Sequence, residues 1–264
     1  MKTATHLLWI AGILLLAACT HKSTTPARTD AAEGQGAVYK IGDYYPDPNV
    51  SFSAPGVVAA GTAPTGIVYQ IDAAASQDGG LSGTNGYIVS LIQTEGKGVP
   101  WDEDNYYTAA SNPNDGRENM ATVAAFIAAN NKAWSNFNAI YWVVTTMNGQ
   151  TDYDAQRDRW FLPSKNELKA LYSGFSGKVY TEAWGDGYHM PGFDDPACVE
   201  ARERFNAALV AAGGEPLDVS EFPYYWSSME DYDSLAWIVN FRDGGYSLID
   251  AKRYLIRVRA ISAF

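Results

Sequence analysis

The stretch that most restricts how this chain can fold is its last part, Glu221 to Ile261. Apolar and polar residues alternate there with a period of two. That is the spacing of a strand with one buried face, and on a helix the same residues would scatter around the cylinder. Tyr224-Tyr225-Trp226-Ser227-Ser228 reads as a short aromatic strand, followed by the acidic loop Met229 to Ser234 and a strand from Leu235 to Arg242. Leu235, Trp237, Val239 and Phe241 fall on one face of that strand, and Asn240 and Arg242 on the other. Asp243-Gly244-Gly245 supplies residues that tolerate the positive φ of a hairpin turn. Tyr246 to Asp250 brings the chain back, Ala251 to Arg253 turns it again, and Tyr254 to Ile261 reads as the closing strand, with Ile256, Val258 and Ala260 alternating with Arg257 and Arg259. The expectation is an antiparallel meander with one apolar face.

The opposite end of the chain concerns its destination. Lys2 precedes an apolar run from Leu7 to Ala18, which is shorter than the ~20 residues of a spanning helix and has the shape of a secretory signal. The ending Leu16-Ala17-Ala18-Cys19 resembles a bacterial lipoprotein lipobox, which implies cleavage before Cys19 and lipidation of its thiol. Several acyl chains on one cysteine give a stable anchor where one chain binds marginally. Residues 20–36 are small, polar and aperiodic, the composition of a flexible tether. The expected organisation is a signal peptide over residues 1–18, a lipidated cysteine and tether over 19–36, and one domain over 37–264. The expected location is the outer membrane or cell surface.

Charge narrows the partners. Thirty acidic residues against 19 basic ones leave a net charge of −11, which opposes binding to nucleic acid or to an anionic membrane surface. Contact with a membrane is then through the lipid on Cys19. With Cys19 so used, Cys198 is the one remaining cysteine and no intrachain disulfide can form. A domain of this size buries on the order of 70% of its unfolded surface and folds without such a crosslink.

Along the chain, Gly66 to Asp72 and Gly86 to Ile92 are rich in β-formers and read as strands. Ala37 to Pro64 is interrupted by four prolines and reads as a surface wrap with short edge pairings. A helix is expected from about Arg117 to Ala133. Phe137 to Met147 suits a helix by spacing and a strand by its β-branched content. Ser164 and Glu167 form a capping box ahead of the stripe Leu168, Leu171, Tyr172 and Phe175. A further helix has Asp195 as N-cap, Pro196 at its first position and Gly213 just past its end. Cys198, Ala201, Phe205, Ala208, Leu209 and Ala212 make its apolar stripe.

Trp160, Leu162-Pro163-Ser164, Glu167 and Leu168, then Tyr225-Trp226-Ser227-Ser228 and Glu230, then Ala236, Trp237, Val239, Phe241 and Gly244 or Gly245, and finally Val258-Arg259-Ala260 form a pattern. It resembles the bacterial surface domain named after the C terminus of the Lcl collagen-like adhesin, which is similar to the major-paralogous-domain group and to formylglycine-generating enzymes. The resemblance spans most of Gly66 to Ile261 and leaves Ala37 to Pro64 and Gly177 to Asp194 outside it. It implies an α+β, C-type-lectin-like single domain of antiparallel strands with three to four helices. Most of the motif residues, Trp226 and Trp237 among them, are expected in the core.

The residues for catalysis are sparse. His189 is the single histidine of the folded part, in a loop sequence, and no nucleophile-elbow pattern occurs. Cys198 lies on an apolar stripe, whereas formylglycine-generating enzymes use active-site cysteines. A divergent enzyme on that fold is the remote alternative. Asp102 to Asn105, Asp194-Asp195 and Glu230 to Asp233 offer oxygens for a structural calcium, but neither EF-hand spacing nor the Glu-Pro-Asn motif of calcium-dependent lectins is present. No metal or cofactor is expected at the site. The expected function is a non-enzymatic surface lipoprotein that binds a glycan or protein ligand. Glu230, Asp231, Tyr232, Asp233, Asn240, Arg242 and Tyr246 supply the binding surface, with the tyrosine rings for stacking and the polar groups for directional hydrogen bonds. The alternative is an assembly subunit of a surface fibre such as a fimbrial tip.

Overall fold

The computed structural model describes residues 38–45, 65–72, 82–83, 85–178, 194–220, 222–242 and 246–264. The expected signal segment, Cys19, the tether and His189 lie outside these residues. Residues 36–264 form one compact unit. It is α+β, as expected, with all sheet pairings antiparallel.

The described strands are β1 (Tyr39–Lys40), β2 (Tyr44–Tyr45), β3 (Gly66–Ile71), β4 (Ser82–Gly83), β5 (Gly86–Gln93), β6 (Tyr224–Glu230), β7 (Leu235–Asn240), β8 (Tyr246–Ala251) and β9 (Arg259–Ala263). They make a four-stranded sheet in the order β2-β3-β5-β9, a three-stranded sheet β6-β7-β8, and the pair β1-β4. The helices are α1 (Gly116–Asn130), α2 (Asn138–Trp142), α3 (Lys165–Ser176) and α4 (Pro196–Ala211). The ambiguous stretch after Phe137 is therefore helical, and α2 runs on into a π-turn over Val143–Met147.

Caps place the helices where the sequence does. Ser164 accepts from the Glu167 N–H, and Glu167 Oε2 accepts from the Ser164 N–H at 2.7 Å. The same oxygen accepts from the Gly116 N–H at 2.9 Å, so one carboxylate satisfies free donors at the starts of both α1 and α3. Asp195 caps α4 through the Ala197 N–H at 2.8 Å, and Gly213 takes φ +80° just after it. On the inner side of α3, Phe175 meets Phe205 of α4 edge-on at 5.7 Å, and Tyr172 meets Phe241 at 5.6 Å. These contacts fasten both helices to the three-stranded sheet.

The closing segment differs from expectation. β6, β7 and β8 do form a meander, but the last strand leaves it and pairs with β5 in the other sheet, Val89 opposite Ile261. After β8 the chain crosses back over the meander. Lys252 is drawn fully inside, and Ile256 bridges Val99. The one-sided burial of the meander is also corrected. Register puts Ala236, Ile238 and Asn240 on the face opposite Trp237 and Val239, yet all three are buried. Arg259 likewise reads as outward by alternation but is fully buried, its Nη2 donating to the carbonyls of Glu215 at 2.8 Å and Leu91 at 3.2 Å.

Candidate functional site

The seven residues expected to form the binding surface separate into two environments. Glu230 is 2% exposed and belongs to a sealed ionic cluster. Lys252 Nζ donates to Glu230 Oε1 at 2.6 Å and to the Tyr106 carbonyl at 2.5 Å, and lies 3.8 Å from Asp102 Oδ2. The ammonium stands 4.6 Å from the centre of the Trp101 ring. Glu230 Oε2 accepts from the N–H and hydroxyl of Thr108, both at 2.9 Å. Asp102 accepts from the Asp104 N–H at 2.6 Å and the Tyr106 N–H at 2.7 Å, and burial raises its pKa. Every one of these charged groups is committed to a partner inside the domain, so Glu230 is a core anchor and no ligand reaches it. Asn240 is buried too, its Oδ1 accepting from the Arg242 N–H at 2.8 Å.

The others stay near the surface. Tyr232 is 63% exposed, Asp233 and Arg242 are exposed and Asp231 is half-buried. Tyr246 is described in its backbone, opposite Asn240. Asp231 to Asp233 sit in the β6–β7 turn, whereas Arg242 and Tyr246 lie at the far end of β7. The length of β7 separates the two groups, about 17 Å at the rise of an extended chain. They do not converge on one point.

A cleft of about 360 Å³ opens over the intervening face of the meander, lined by Lys97, Phe222, Tyr224, Asp250, Tyr254, Leu255 and Ile256. Phe222 is 55% exposed, Tyr254 49% and Leu255 55%, three large apolar groups at one opening. The walls are braced. Val99 and Ile256 exchange backbone hydrogen bonds at 3.0 and 3.2 Å, and the Tyr254 N–H donates to the Ala251 carbonyl at 2.9 Å. Arg257 Nη1 donates to the Phe222 carbonyl at 2.5 Å and pairs with Asp218 at 2.7 Å, fixing the backbone that presents the ring. Lys97 Nζ sits 5.3 Å from the Phe222 ring centre. At one end of the cleft Asp250 is one residue from Ala251, which pairs with Leu235 beside the exposed turn; at the other, Tyr224 pairs with Asn240. The exposed predicted residues thus bracket the cleft; of the residues that line it, Tyr224, Asp250, Tyr254 and Ile256 are read from the sequence as strand residues, and none is read as a ligand contact. Their signal in the sequence is the large apolar groups Phe222 and Tyr224 just before the meander and Tyr254-Leu255 just after it.

Cys198 is 1% exposed, and burial raises its thiol pKa, the opposite of what a nucleophile needs. Trp226 is fully buried as expected, while Trp237 is half-buried beneath Lys165, whose Nζ lies 4.0 Å from its ring centre. No group of three or more His, Cys, Asp or Glu side chains is placed to hold a metal ion among the described residues, and no described helix is long and apolar enough to cross a membrane.

No family model matches the chain, and no curated protein matches it. Among solved structures it is similar to a fimbrial protein from Bacteroides ovatus ATCC 8483, at 16% identity and a TM-score of 0.48, over 85% of this chain and 49% of that one. The chain therefore spans about half the length of that fimbrial protein.

Proposed function

We propose that this chain is the ligand-binding domain of an exported lipoprotein of the Lcl-type family, anchored through Cys19 at the cell surface and acting without catalysis. Its ligand is a glycan or a protein. The observation behind this reading is the braced cleft, in which Phe222, Tyr254 and Leu255 stand exposed on fixed backbone. Aromatic groups on a braced backbone lose less entropy on binding, so a larger share of the apolar contact shows as affinity. The exposed Tyr232, Asp233 and Arg242 extend the surface at its two ends. The absence of catalysis rests on the state of Cys198 and on the closed Lys252 cluster, whose groups are spent on one another.

Replacing Phe222 and Tyr254 together by Ala tests this reading. Binding of the full chain to a broad glycan array and to intact cell-surface proteins should fall at least about tenfold, the loss of two aromatic anchors, with the fold unchanged by circular dichroism. Ligand binding indifferent to both rings would overturn it. A second reading, an assembly subunit of a surface fibre, is favoured by β8, an edge strand of its sheet among the described strands, with Ile249 39% exposed.

A further inference from the structure

We propose that the edge of β8, which no other described strand covers, accepts an extended peptide strand from a partner protein, and that this strand is acidic, with both apolar and acidic side chains on the face it turns to the cleft. The inference rests on the ligand-binding reading above and assigns the ligand class of the same cleft.

The backbone argument comes first. β8 pairs with β7 along one side over all six residues, Tyr246 to Ala251. On its other side no described strand is bonded to it; at its last residue the Ala251 N–H donates to Asp250 Oδ1 at 2.8 Å and the Ala251 carbonyl accepts from the Tyr254 N–H, so the open stretch ends at Asp250. The outer edge of β6, by contrast, is covered: Trp226 N–H donates to the Arg257 carbonyl, Ser228 N–H to that of Pro163, and Glu230 N–H to that of Ala110. Unpaired edges are ordinarily blunted by proline, a bulge or a central charge. β8 reads Tyr-Ser-Leu-Ile-Asp-Ala and has none of these before Asp250. An added strand gains main-chain hydrogen bonds from such an edge, and pockets beside it select its side chains.

The cleft lies on the face carrying Leu248 and Asp250, by register the same face as Tyr224 and Trp226. An added strand turns every second side chain toward that face, where Tyr254 and Leu255 are exposed.

Charge then chooses among peptides. Two cations stand on the cleft's aromatic rings, Lys97 over Phe222 at 5.3 Å and Arg253 over Tyr254 at 5.8 Å. Neither has an ion-pair partner among the described residues, whereas Arg257 beside them is neutralised by Asp218 and Lys252 by Glu230. In a chain of net charge −11, two cations with no carboxylate partner among the described residues, flanking one cleft, complement carboxylates. Asp250 supplies one opposing charge, so the balance favours an acidic strand.

The test measures binding of the full chain to a library of eight-residue peptides in which one face of the strand alternates Val, Leu, Phe or Tyr with Glu and the other face is Ser, and to the same library with Lys in place of Glu. The Glu peptides should bind about tenfold tighter than the Lys peptides, the effect of two exposed ion pairs. Lys97→Glu with Arg253→Glu should reverse the preference. Methylating alternate backbone nitrogens of the best peptide should abolish binding on one of its two edges and spare the other. Equal binding after methylation of either edge would overturn strand addition, and equal binding of Glu and Lys peptides would overturn the acidic assignment. Saccharide binding that needs Phe222, with no peptide bound, would overturn this inference and leave the ligand-binding reading standing. Loss of dependence on Phe222 for every ligand would overturn both.

Discussion

Glu230 shows how far a residue's role depends on what folds over it. In sequence it opens an acidic run; in the structure it is the fully paired partner of a buried lysine. Replacing it by Ala leaves the Lys252 ammonium buried against apolar groups with Asp102 3.8 Å away as its remaining carboxylate. The expected loss is about 3–5 kcal/mol in urea unfolding, because an uncompensated buried charge costs more than the pair contributes. Glu230→Leu combined with Lys252→Met should recover a large part of that loss, since apolar groups of similar volume replace such pairs with little penalty. A loss below about 1 kcal/mol for the single variant would show that water reaches the cluster. The seven residues expected at the binding surface divide along the same line: side chains of equal polarity in sequence are sorted by burial, and no local pattern encodes that.

At the scale of elements, helices were legible because their signals are local. The Ser164–Glu167 box, the Asp195-Pro196 start and the glycine at 213 each specify a helix end within a few residues. The cleft wall was not, since it joins a turn near residue 97 to a segment some 160 residues later. Gly98 makes that joint possible. It sits at φ +100°, and a Cβ there would stand 2.1 Å from the Ile256 carbonyl oxygen. Gly98→Ala should therefore cost well over 1 kcal/mol and weaken ligand binding by shifting the Lys97 turn off the cleft. Gly96→Ala is the matched control, at φ +58° with open space around it, and should cost about 1 kcal/mol and leave binding intact. Equal melting temperatures for the two variants would show that the joint tolerates a side chain.

Across the whole molecule, the aromatic residues make the core sensitive to alkali. Burial pushes the phenols of Tyr153, Tyr172 and Tyr225 up to about 12 from an ordinary 10. The unfolded chain therefore loses these protons first, and the stability they contribute, complete below pH 10, is lost as pH rises from 10 toward 12. The decline should reach up to about 1.4 kcal/mol per pH unit for each phenol. Phenolate absorbance for this subset should rise in step with loss of ellipticity. Titration of all tyrosines near 10 in a still-folded chain would mean that these rings are hydrated.

What the sequence alone determined is the short-range part: α+β class, helix ends, the β6–β7–β8 pairing, and the burial of Trp226, because caps, turns and period-two alternation act between near neighbours. The tertiary structure decided the rest. It sent the last strand to β5, drew Lys252 and Arg259 inside, took Glu230 and Asn240 from the surface, and opened a cleft from residues as distant as Lys97 and Tyr254. These outcomes follow from which surfaces remain to be covered once the elements pack, and that competition between distant segments leaves no periodic trace in the chain.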